Sequence, residues 1–419
     1  MTMPNEALCC ILPVVGWSDR QAAEVVFAGG ADPVLPTPFR IGAAGAAALA
    51  ATGLAATELW EIRAGRRQQV TVDLRQATAS LHSGRYLKLA GASVPSAQNS
   101  IMGVYPTRDG RWSYLHCNFP NHRAAALAVL GVAEDRDAVA RAVATWNAAD
   151  LEEAIIAADG AGGMARTQTE WAEHPQALAI AALPLLEIMR IGDSDPEPLP
   201  AGGRPLSNIR VLDLTRVLAG PTCARTLAEH GADVMRITAA HLPNLGYQEW
   251  DTGHGKLSAE LDLRTPGDLD IVRGLVRQAD VFSQGYRPGT LASRGLAPEE
   301  LAAVRPGLVY VSLCAFGHTG PWASRRGFDT VVQTVSGMTV RQAESVRLSR
   351  LGARDAAHGP RRSSHPDSAT YRNRGSAPGC ARRSSRRAGL PYLSASPVMA
   401  AHRACRYSAN GIAPNMAYY

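Results

Sequence analysis

The chain has 419 residues, of which 46% are hydrophobic and 19% charged, and its formal net charge at pH 7 is +6. This length predicts two to four domains of roughly 100–200 residues each, and no apolar run approaches the ~20 residues of a membrane-spanning helix. Residues 346–419 hold 13 Arg and 2 Asp, whereas residues 1–345 hold 30 basic and 35 acidic residues, so charge gives no basis for nucleic-acid binding by the main part of the protein.

Residues 1–200 carry a mixed helix and strand pattern. Ala43–Arg63 predicts a long buried helix, and the alternation in residues 70–74 predicts a strand. Residues 105–112 predict a hairpin whose turn is an Asp-Gly pair, and residues 196–205, rich in Pro and Gly, predict a linker. The remaining helices of this part are expected at about residues 122–131, 135–146 and 150–158, with a capped helix start at residues 167–174.

The clearest local pattern lies at residues 208–238. Apolar residues 209–214 predict a strand, Gly220-Pro221 predicts the turn into a helix that ends at His230-Gly231, and residues 234–237 predict a second strand. Together they form one βαβ unit. A nucleotide-like cofactor usually lies at such a strand–turn–helix junction.

Six spaced motifs in this part of the chain support a family assignment. They are Leu212-Asp213-Leu214 with Ala219-Gly220-Pro221; Gly255-Lys256-Leu257-Ser258 with Leu261-Asp262-Leu263; Tyr286-Arg287-Pro288-Gly289 leading to Gly295-Leu296; Phe316-Gly317-His318-Thr319-Gly320-Pro321; Gly327-Phe328-Asp329 with Gln333; and Ser336-Gly337-Met338. In this order they resemble the family III CoA-transferases of the formyl-CoA and carnitine CoA-transferase (CaiB/BaiF) type.

The first half resembles the later part of the same family. The resemblance rests on residues 64–70, on the hairpin at residues 105–112 and on Glu170–Pro175. The expected organisation is therefore a later-half-like segment with a small α+β domain (1–200), a Rossmann-like CoA-binding segment (201–345) and a tail (346–419). The expected fold class is α/β, with a doubly wound parallel sheet and an additional smaller α+β domain.

The tail at residues 346–419 shows neither helical nor strand periodicity, and Arg-Arg and Ser-Ser pairs dominate it. One interpretation is a disordered basic tail that binds nucleic acid or an acidic surface. The favoured interpretation is an out-of-frame or truncated C-terminus. Most basic residues of the chain are Arg, which suggests GC-rich coding, and a one-base slip turns CGN arginine codons into GNN codons for Val, Ala, Gly, Asp or Glu.

The resemblance implies transfer of coenzyme A between an acyl-CoA and a carboxylic acid through an aspartyl anhydride, with CoA as a substrate and no bound cofactor. It implies that Val217, Leu218 and Ala219 follow the adenine–pantetheine path. It further implies that Lys256 and Arg326 contact phosphates and that Tyr286 packs on the adenine. No metal site is indicated, because the seven cysteines are scattered without a Cys-x-x-Cys pair.

The nucleophile is not identified from the sequence. In the family it is an Asp shortly before the long helix, which here falls beyond residue 346, where Asp355 and Asp367 lie in no family-like context. The corresponding place in the first half, Arg40–Ala44, holds no carboxylate. His254 and His318 receive no catalytic role. The chain as given is therefore expected to be inactive.

Three alternatives remain. The chain is a catalytically dead CoA-binding remnant, or an acyl-CoA racemase of the same superfamily, which Phe328 disfavours because the racemases carry His there and phenylalanine transfers no proton. A nicotinamide dehydrogenase is disfavoured by the single glycine after the first strand and by Thr238, which supplies no ribose carboxylate. The start of the chain lacks the basic region of a signal peptide. We expect a cytoplasmic protein, a homodimer if fully folded, with neither nucleic-acid nor membrane partners.

Overall fold

A seven-stranded sheet dominates the computed structural model, which describes residues 3–94, 99–347 and, for the backbone alone, 413–418. The strands are β1 (Val25–Ala28), β2 (Val70–Asp73), β3 (Lys88–Leu89), β4 (Ala92–Ser93), β5 (Gly103–Pro106), β6 (Trp112–Leu115), β7 (Gly162–Met164), β8 (Ile188–Ser194), β9 (Arg210–Leu214), β10 (Asp233–Thr238), β11 (Lys256–Glu260), β12 (Val281–Gln284), β13 (Val309–Ser312) and β14 (Ala413–Tyr418).

Helices cover both faces of this sheet and surround the smaller ones. They are α1 (Met3–Cys9), α2 (Asp19–Ala22), α3 (Ile41–Ala64), α4 (Leu74–Ser80), α5 (Ser83–Tyr86), α6 (Pro120–Leu130), α7 (Arg136–Val143), α8 (Ala148–Ala157), α9 (Gln168–Ala172), α10 (Pro175–Ala181), α11 (Ala219–Glu229), α12 (Gly246–Thr252), α13 (Pro266–Val276), α14 (Pro298–Val304) and α15 (Asp329–Val335). Residues 338–347 are also helical.

The large sheet has the order β11-β10-β9-β12-β13-β14-β8, and its strands from β11 to β14 are parallel to one another. The register pairs Val211 of β9 with Val234 on one side and with Val281 on the other. The chain winds outward from β9 to β11 and then returns to β12, so the strand order reverses at β9. The predicted α/β class with a doubly wound parallel sheet is confirmed.

The predicted βαβ unit is present as β9, α11 and β10. Helix α11 already begins at Ala219. Gly220, in the first turn of this helix, packs tightly against the turn that precedes it. A Cβ atom on Gly220 would lie 2.3 Å from Cβ of Thr215, so a larger residue would push the turn away from the helix. Glycine at this position permits the close approach of backbone and side chain.

The first half of the chain contains a three-stranded antiparallel sheet, β5-β6-β7, packed against α6, α7 and α8. The predicted hairpin is confirmed, since Pro106 pairs with Trp112 and Gly110 takes the left-handed φ of 72° that its turn requires. The capped helix start is also confirmed, because the Thr167 side chain accepts a hydrogen bond from the Glu170 amide at 3.2 Å.

Helix α3 is the predicted long buried helix and joins the two halves of the chain. Contrary to expectation, it is long and apolar enough to cross a membrane by length and composition, but 72% of its most apolar window is buried inside the protein. Leu54 and Leu59 lie in one apolar core with Val211 and Val281 of the large sheet. Residues from both sides of the predicted linker therefore share this core.

The predicted linker at residues 196–205 has no regular secondary structure and is fastened to the end of α3. The Arg63 guanidinium donates to the carbonyls of Pro205 at 2.9 Å and Ser207 at 2.8 Å, and also to the carbonyl of Pro200. A guanidinium has enough donors to satisfy several carbonyls at once. The segment thus follows a fixed path between the two halves.

One part of the tail differs from the expectation of no regular structure. Residues 413–418 form β14, which pairs in parallel with β13 and antiparallel with β8. Strand pairing uses main-chain groups, which every residue except proline provides in full. The composition of the tail therefore did not predict this strand. The rest of the tail, residues 348–412, lies outside the described residues.

A buried ion pair couples β7 to α8. Glu152 and Arg166 are 2% and 8% exposed and form two hydrogen bonds of 2.6 and 2.8 Å. Removing one partner of such a pair leaves a buried charge, so Glu152→Ala should lower the free energy of unfolding by about 3–5 kcal/mol. Urea denaturation measures this loss.

The neighbouring variant Glu153→Ala is the control. Glu153 is 63% exposed in its pair with Arg325, and exposed pairs contribute at most about 1 kcal/mol. Equal losses for both variants would contradict the prediction.

Candidate functional site

The candidate site lies at the carboxyl edge of the large sheet, between β9 and β12. The turn at Thr215–Leu218 follows β9, and the segment Gly285–Gly289 follows β12, its direct neighbour. Ligands of open α/β sheets bind outside the carboxyl ends of the strands where the strand order reverses. The fold therefore brings Val217–Ala219 and Tyr286 to the same edge, at its most favourable place for a ligand.

A buried ion pair fixes the turn after β9. Nζ of Lys256 lies 2.8 Å from Oδ2 of Asp213 and 2.8 Å from the Pro221 carbonyl, and the Lys256 and Asp213 side chains are 2% and 0% exposed. The other oxygen of Asp213 accepts hydrogen bonds from the amide and hydroxyl of Thr215. In this structure the Lys256 ammonium thus contacts the protein's own turn instead of solvent.

The turn holds one residue in a rarely adopted backbone conformation. Val217 has a φ of +73°, which is unfavourable for a β-branched residue. The next residue, Leu218, is 37% exposed although it is a large apolar side chain. Strained backbone of this kind often marks a binding site, where the surrounding structure enforces it. Ala219 is half-buried at the first turn of α11.

Tyr286 is half-buried behind β12, where its ring packs against the apolar cluster beneath the sheet. Its amide donates a 2.7 Å hydrogen bond to the Gln284 side chain, and that side chain donates in turn to the Ser312 hydroxyl. Burial raises the pKa of the Tyr286 phenol, and the nearby Arg216 guanidinium opposes this shift. The ring is therefore held in place at the edge of the site.

Three arginines surround this edge. Arg326 holds Asp159 through Nε, 2.9 Å from Oδ1, and through Nη2, which contacts Oδ2. Arg287 lies 3.5 Å from Asp159 and 3.4 Å from the Ser324 carbonyl. Arg216 lies over the Phe119 ring and donates to the Pro243 carbonyl. Two guanidiniums around one carboxylate, with the Arg216 guanidinium near Tyr286, leave the site positively charged.

Two buried histidines, which the sequence analysis did not select, lie next to these arginines. The His116 ring stacks on the Phe328 ring with a centroid distance of 3.8 Å, and His122 packs edge-on at 5.3 Å. Nδ1 of each histidine is buried without a hydrogen-bond partner among the described residues. Burial lowers the pKa of both imidazoles to about 4. Both rings are therefore neutral at pH 7.

The carboxylates near the starts of helices have different surroundings. Asp329, the first residue of α15, is solvent-exposed, and partial desolvation by the surrounding residues raises its pKa. Asp32 caps α3, where it accepts hydrogen bonds from the amides of Gly42 at 3.2 Å and Ala43 at 2.7 Å. The sequence analysis found no carboxylate before this helix, because Asp32 reaches it from several residues upstream.

These arrangements assign no nucleophile. The oxygens of Asp32 are already engaged by the helix amides and are not free to attack a thioester. The other two candidates, Asp355 and Asp367, lie outside the described residues. His254 contacts the Asp251 carbonyl at 2.7 Å, and His318 lies 3.3 Å from the Glu187 carboxylate.

A glycine-containing loop, residues 317–320, lies on α10. The Gln176 side chain, fully buried, donates to the carbonyls of Phe316 and Thr319 at 2.6 and 2.8 Å and accepts from the Trp322 amide at 2.6 Å. Gly320 has a φ of +87° and lies against Gln176. The loop conformation is therefore fixed from beneath by one amide side chain.

Comparison with known proteins identifies relatives of both halves. A family model described as CoA-transferase family III matches residues 21–196 and 206–349. The acetyl-coenzyme A transferase nodX of Hypoxylon pulicicidum is 29% identical over 293 residues, which are 65% of this chain and 49% of that protein. An acyl-CoA transferase of Gibberella moniliformis is 28% identical over 363 residues, 77% of this chain and 63% of that protein.

Bacterial relatives match a shorter region. The succinate–glutarate CoA-transferase of Agrobacterium fabrum is 41% identical over 151 residues, 32% of this chain and 38% of that protein. A solved CaiB/BaiF family protein from Brucella suis is 35% identical, covers 32% of this chain and 39% of that chain, and has a TM-score of 0.28. The chain thus spans about half the length of the curated relatives it matches.

The two buried histidines predict a pH-dependent stability. Folding lowers the pKa of His116 from 6.5 to about 4, so between these values the unfolded chain binds more protons than the folded one. The free energy of unfolding therefore falls as the pH falls through this range. Between pH 7 and pH 4 the free energy of unfolding of the wild type should fall by about 3 kcal/mol more than that of His116→Phe. Urea denaturation at both pH values measures the difference, and parallel losses would contradict it.

Proposed function

Because the chain belongs to CoA-transferase family III, we propose that it binds coenzyme A or an acyl-CoA at the carboxyl edge of the large sheet. One observation carries this proposal: the turn at Val217–Ala219, Tyr286 and the three arginines lie around the point where the strand order reverses. CoA carries an adenine, a diphosphate and a 3′-phosphate. Arginine recognises phosphates well because its donors are arranged as a fork.

In this proposal Val217, Leu218 and Ala219 follow the adenine–pantetheine path, Tyr286 packs on the adenine and Arg326 contacts phosphate. The role of Lys256 is indirect. Its ammonium is bound to Asp213 and to the Pro221 carbonyl, so it supports CoA binding by holding the turn in shape.

The proposed reaction moves CoA between an acyl-CoA and a carboxylic acid. The names of the relatives support this class, since they include a succinate–glutarate CoA-transferase and an acetyl-CoA:oxalate CoA-transferase. CoA is then a substrate, and the reaction needs no separate cofactor. We further propose that the protein is cytoplasmic and assembles as a homodimer, with neither nucleic-acid nor membrane partners.

We also propose that the chain as given lacks transferase activity. The family match ends at residue 349, close to residue 346, where the composition changes. A reading frame shifted near this point would replace the segment expected to supply the nucleophilic aspartate. The second candidate function, a CoA-binding remnant without turnover, is favoured by the same missing nucleophile. A racemase stays disfavoured, because Phe328 transfers no proton.

The binding proposal predicts a specific effect of Tyr286→Ala. Loss of stacking on the adenine should weaken CoA binding by about 1–3 kcal/mol, as measured by calorimetry on the folded protein. Tyr86→Ala is the matched control, since Tyr86 is 67% exposed on α5. The absence of CoA binding by the folded wild type would reject the assignment of this site.

The variant Lys256→Met distinguishes direct contact between Lys256 and the ligand from an indirect effect through the turn. It leaves Asp213 buried without its counter-charge, so the free energy of unfolding should fall by about 3–5 kcal/mol together with CoA affinity. A variant that loses affinity at unchanged stability would instead indicate direct contact between Lys256 and phosphate.

The activity proposal predicts that no acyl-aspartyl anhydride forms. The chain is incubated with an acyl-CoA and hydroxylamine, and mass spectrometry searches for an aspartyl hydroxamate. Without a placed carboxylate, the thioester reacts only with water and with hydroxylamine itself, which releases CoA and an acyl hydroxamate, so no modified aspartate is expected. An adduct on Asp355 or Asp367 would show that the tail belongs to a working enzyme.

The positive control is the gene continued in the alternative frame from codon 346. That version should encode an Asp before a long amphipathic helix, and it should form the trapped adduct. If all three frames are Arg- and Ser-rich or interrupted by stop codons, the frame-shift explanation is wrong.

A further inference from the structure

The Asp159 carboxylate lies between the guanidiniums of Arg326 and Arg287. The carboxylate receives two contacts from Arg326 and one from Arg287, yet the side chain is 61% exposed. The Arg326 guanidinium holds the pKa of Asp159 below its usual range. A fork-shaped pairing of this type is the geometry with which arginine also binds a phosphate.

The position of Asp159 is unfavourable for a carboxylate apart from these arginines. It follows the end of α8 by two residues, where the helix dipole presents its negative end. Its φ is +56°, in the left-handed region that side chains rarely adopt. In the described part of the chain, the carboxylate contacts the two guanidiniums of Arg326 and Arg287. The amides of Asp159 and Gly160 close α8 by donating to the carbonyls of Ile156 and Ile155. This capping motif uses the backbone and gives the carboxylate itself no capping role.

We propose that the Asp159 carboxylate is a built-in competitor that occupies the place of a phosphate group of the ligand. The inference rests on the proposed binding of CoA and adds how that site is regulated. When the phosphate arrives, the exposed carboxylate leaves the Arg326 fork and turns toward solvent. Arg287 already faces this place and adds its charge to the same anion.

This competition favours ligands with several negative charges. A single carboxylate on the ligand gains little by replacing another carboxylate, whereas a phosphate dianion gains more from the same guanidiniums. Asp159 thereby discriminates against small carboxylic acids at the phosphate subsite. It also lowers the affinity for CoA itself, which speeds release.

The test compares Asp159→Asn with the wild type by calorimetry. Asparagine tolerates the same left-handed backbone but carries no charge, so CoA should bind about three- to tenfold tighter. Glu153→Gln is the matched control, because Glu153 pairs with the neighbouring Arg325 at 2.6 Å and is similarly exposed. This control should leave CoA affinity within about twofold.

Pantetheine and dephospho-CoA identify the group that competes. Tighter binding of CoA alone assigns the 3′-phosphate, and tighter binding of both CoA and dephospho-CoA assigns the diphosphate. Pantetheine, which lacks phosphate, should bind both proteins equally. An equal gain for pantetheine, or unchanged CoA affinity in Asp159→Asn, would overturn the competitor role while leaving the proposed function intact. If both folded proteins fail to bind CoA, the proposed function itself fails.

Discussion

The buried ion pair between Lys256 and Asp213 is the constraint on which the candidate site depends. It joins three elements: Asp213 lies next to the last residue of β9, Lys256 begins β11, and the Pro221 carbonyl lies in the first turn of α11. Enclosing two charges is costly unless the geometry is good and the remaining atoms are satisfied. Here Thr215 completes the hydrogen bonds of Asp213. The left-handed Val217 is therefore held in place before any ligand arrives, which reduces the ordering cost of binding.

The apolar core that the two halves of the chain share positions the rest of the site. Helix α3 packs its apolar residues against the large sheet, and Arg63 ties the following segment to the helix end. As a result the first half delivers Asp159 and the two histidines to the edge formed by β9 and β12. The site is thus built from residues more than a hundred positions apart, all within one chain.

Local signals in the sequence predicted much of this arrangement. Glycine and proline in the turns predicted the unit β9-α11-β10, and the family resemblance assigned Val217 and Tyr286 to one candidate site. The features that the sequence did not predict depend on partners far away along the chain. The burial of Lys256 follows from Asp213, 43 positions earlier, and the stacking of His116 on Phe328 joins the two halves. Asp32 reaches the start of α3 across an irregular loop, and β14 pairs through main-chain groups that composition does not report.

In our proposal, binding and turnover are separable because the residues assigned to each lie in different places. Every contact assigned to CoA precedes residue 327, and the elements that position these contacts are held by the Lys256–Asp213 pair and the α3 core. The nucleophile of the family falls beyond residue 346, where the resemblance ends. In the same proposal, a disturbed tail removes the acyl-transfer step while the elements that hold the CoA-binding edge keep their shape. On this proposal, a polypeptide without an identified nucleophile keeps an ordered CoA-binding edge, where the protein's own Asp159 carboxylate contacts Arg326 and Arg287.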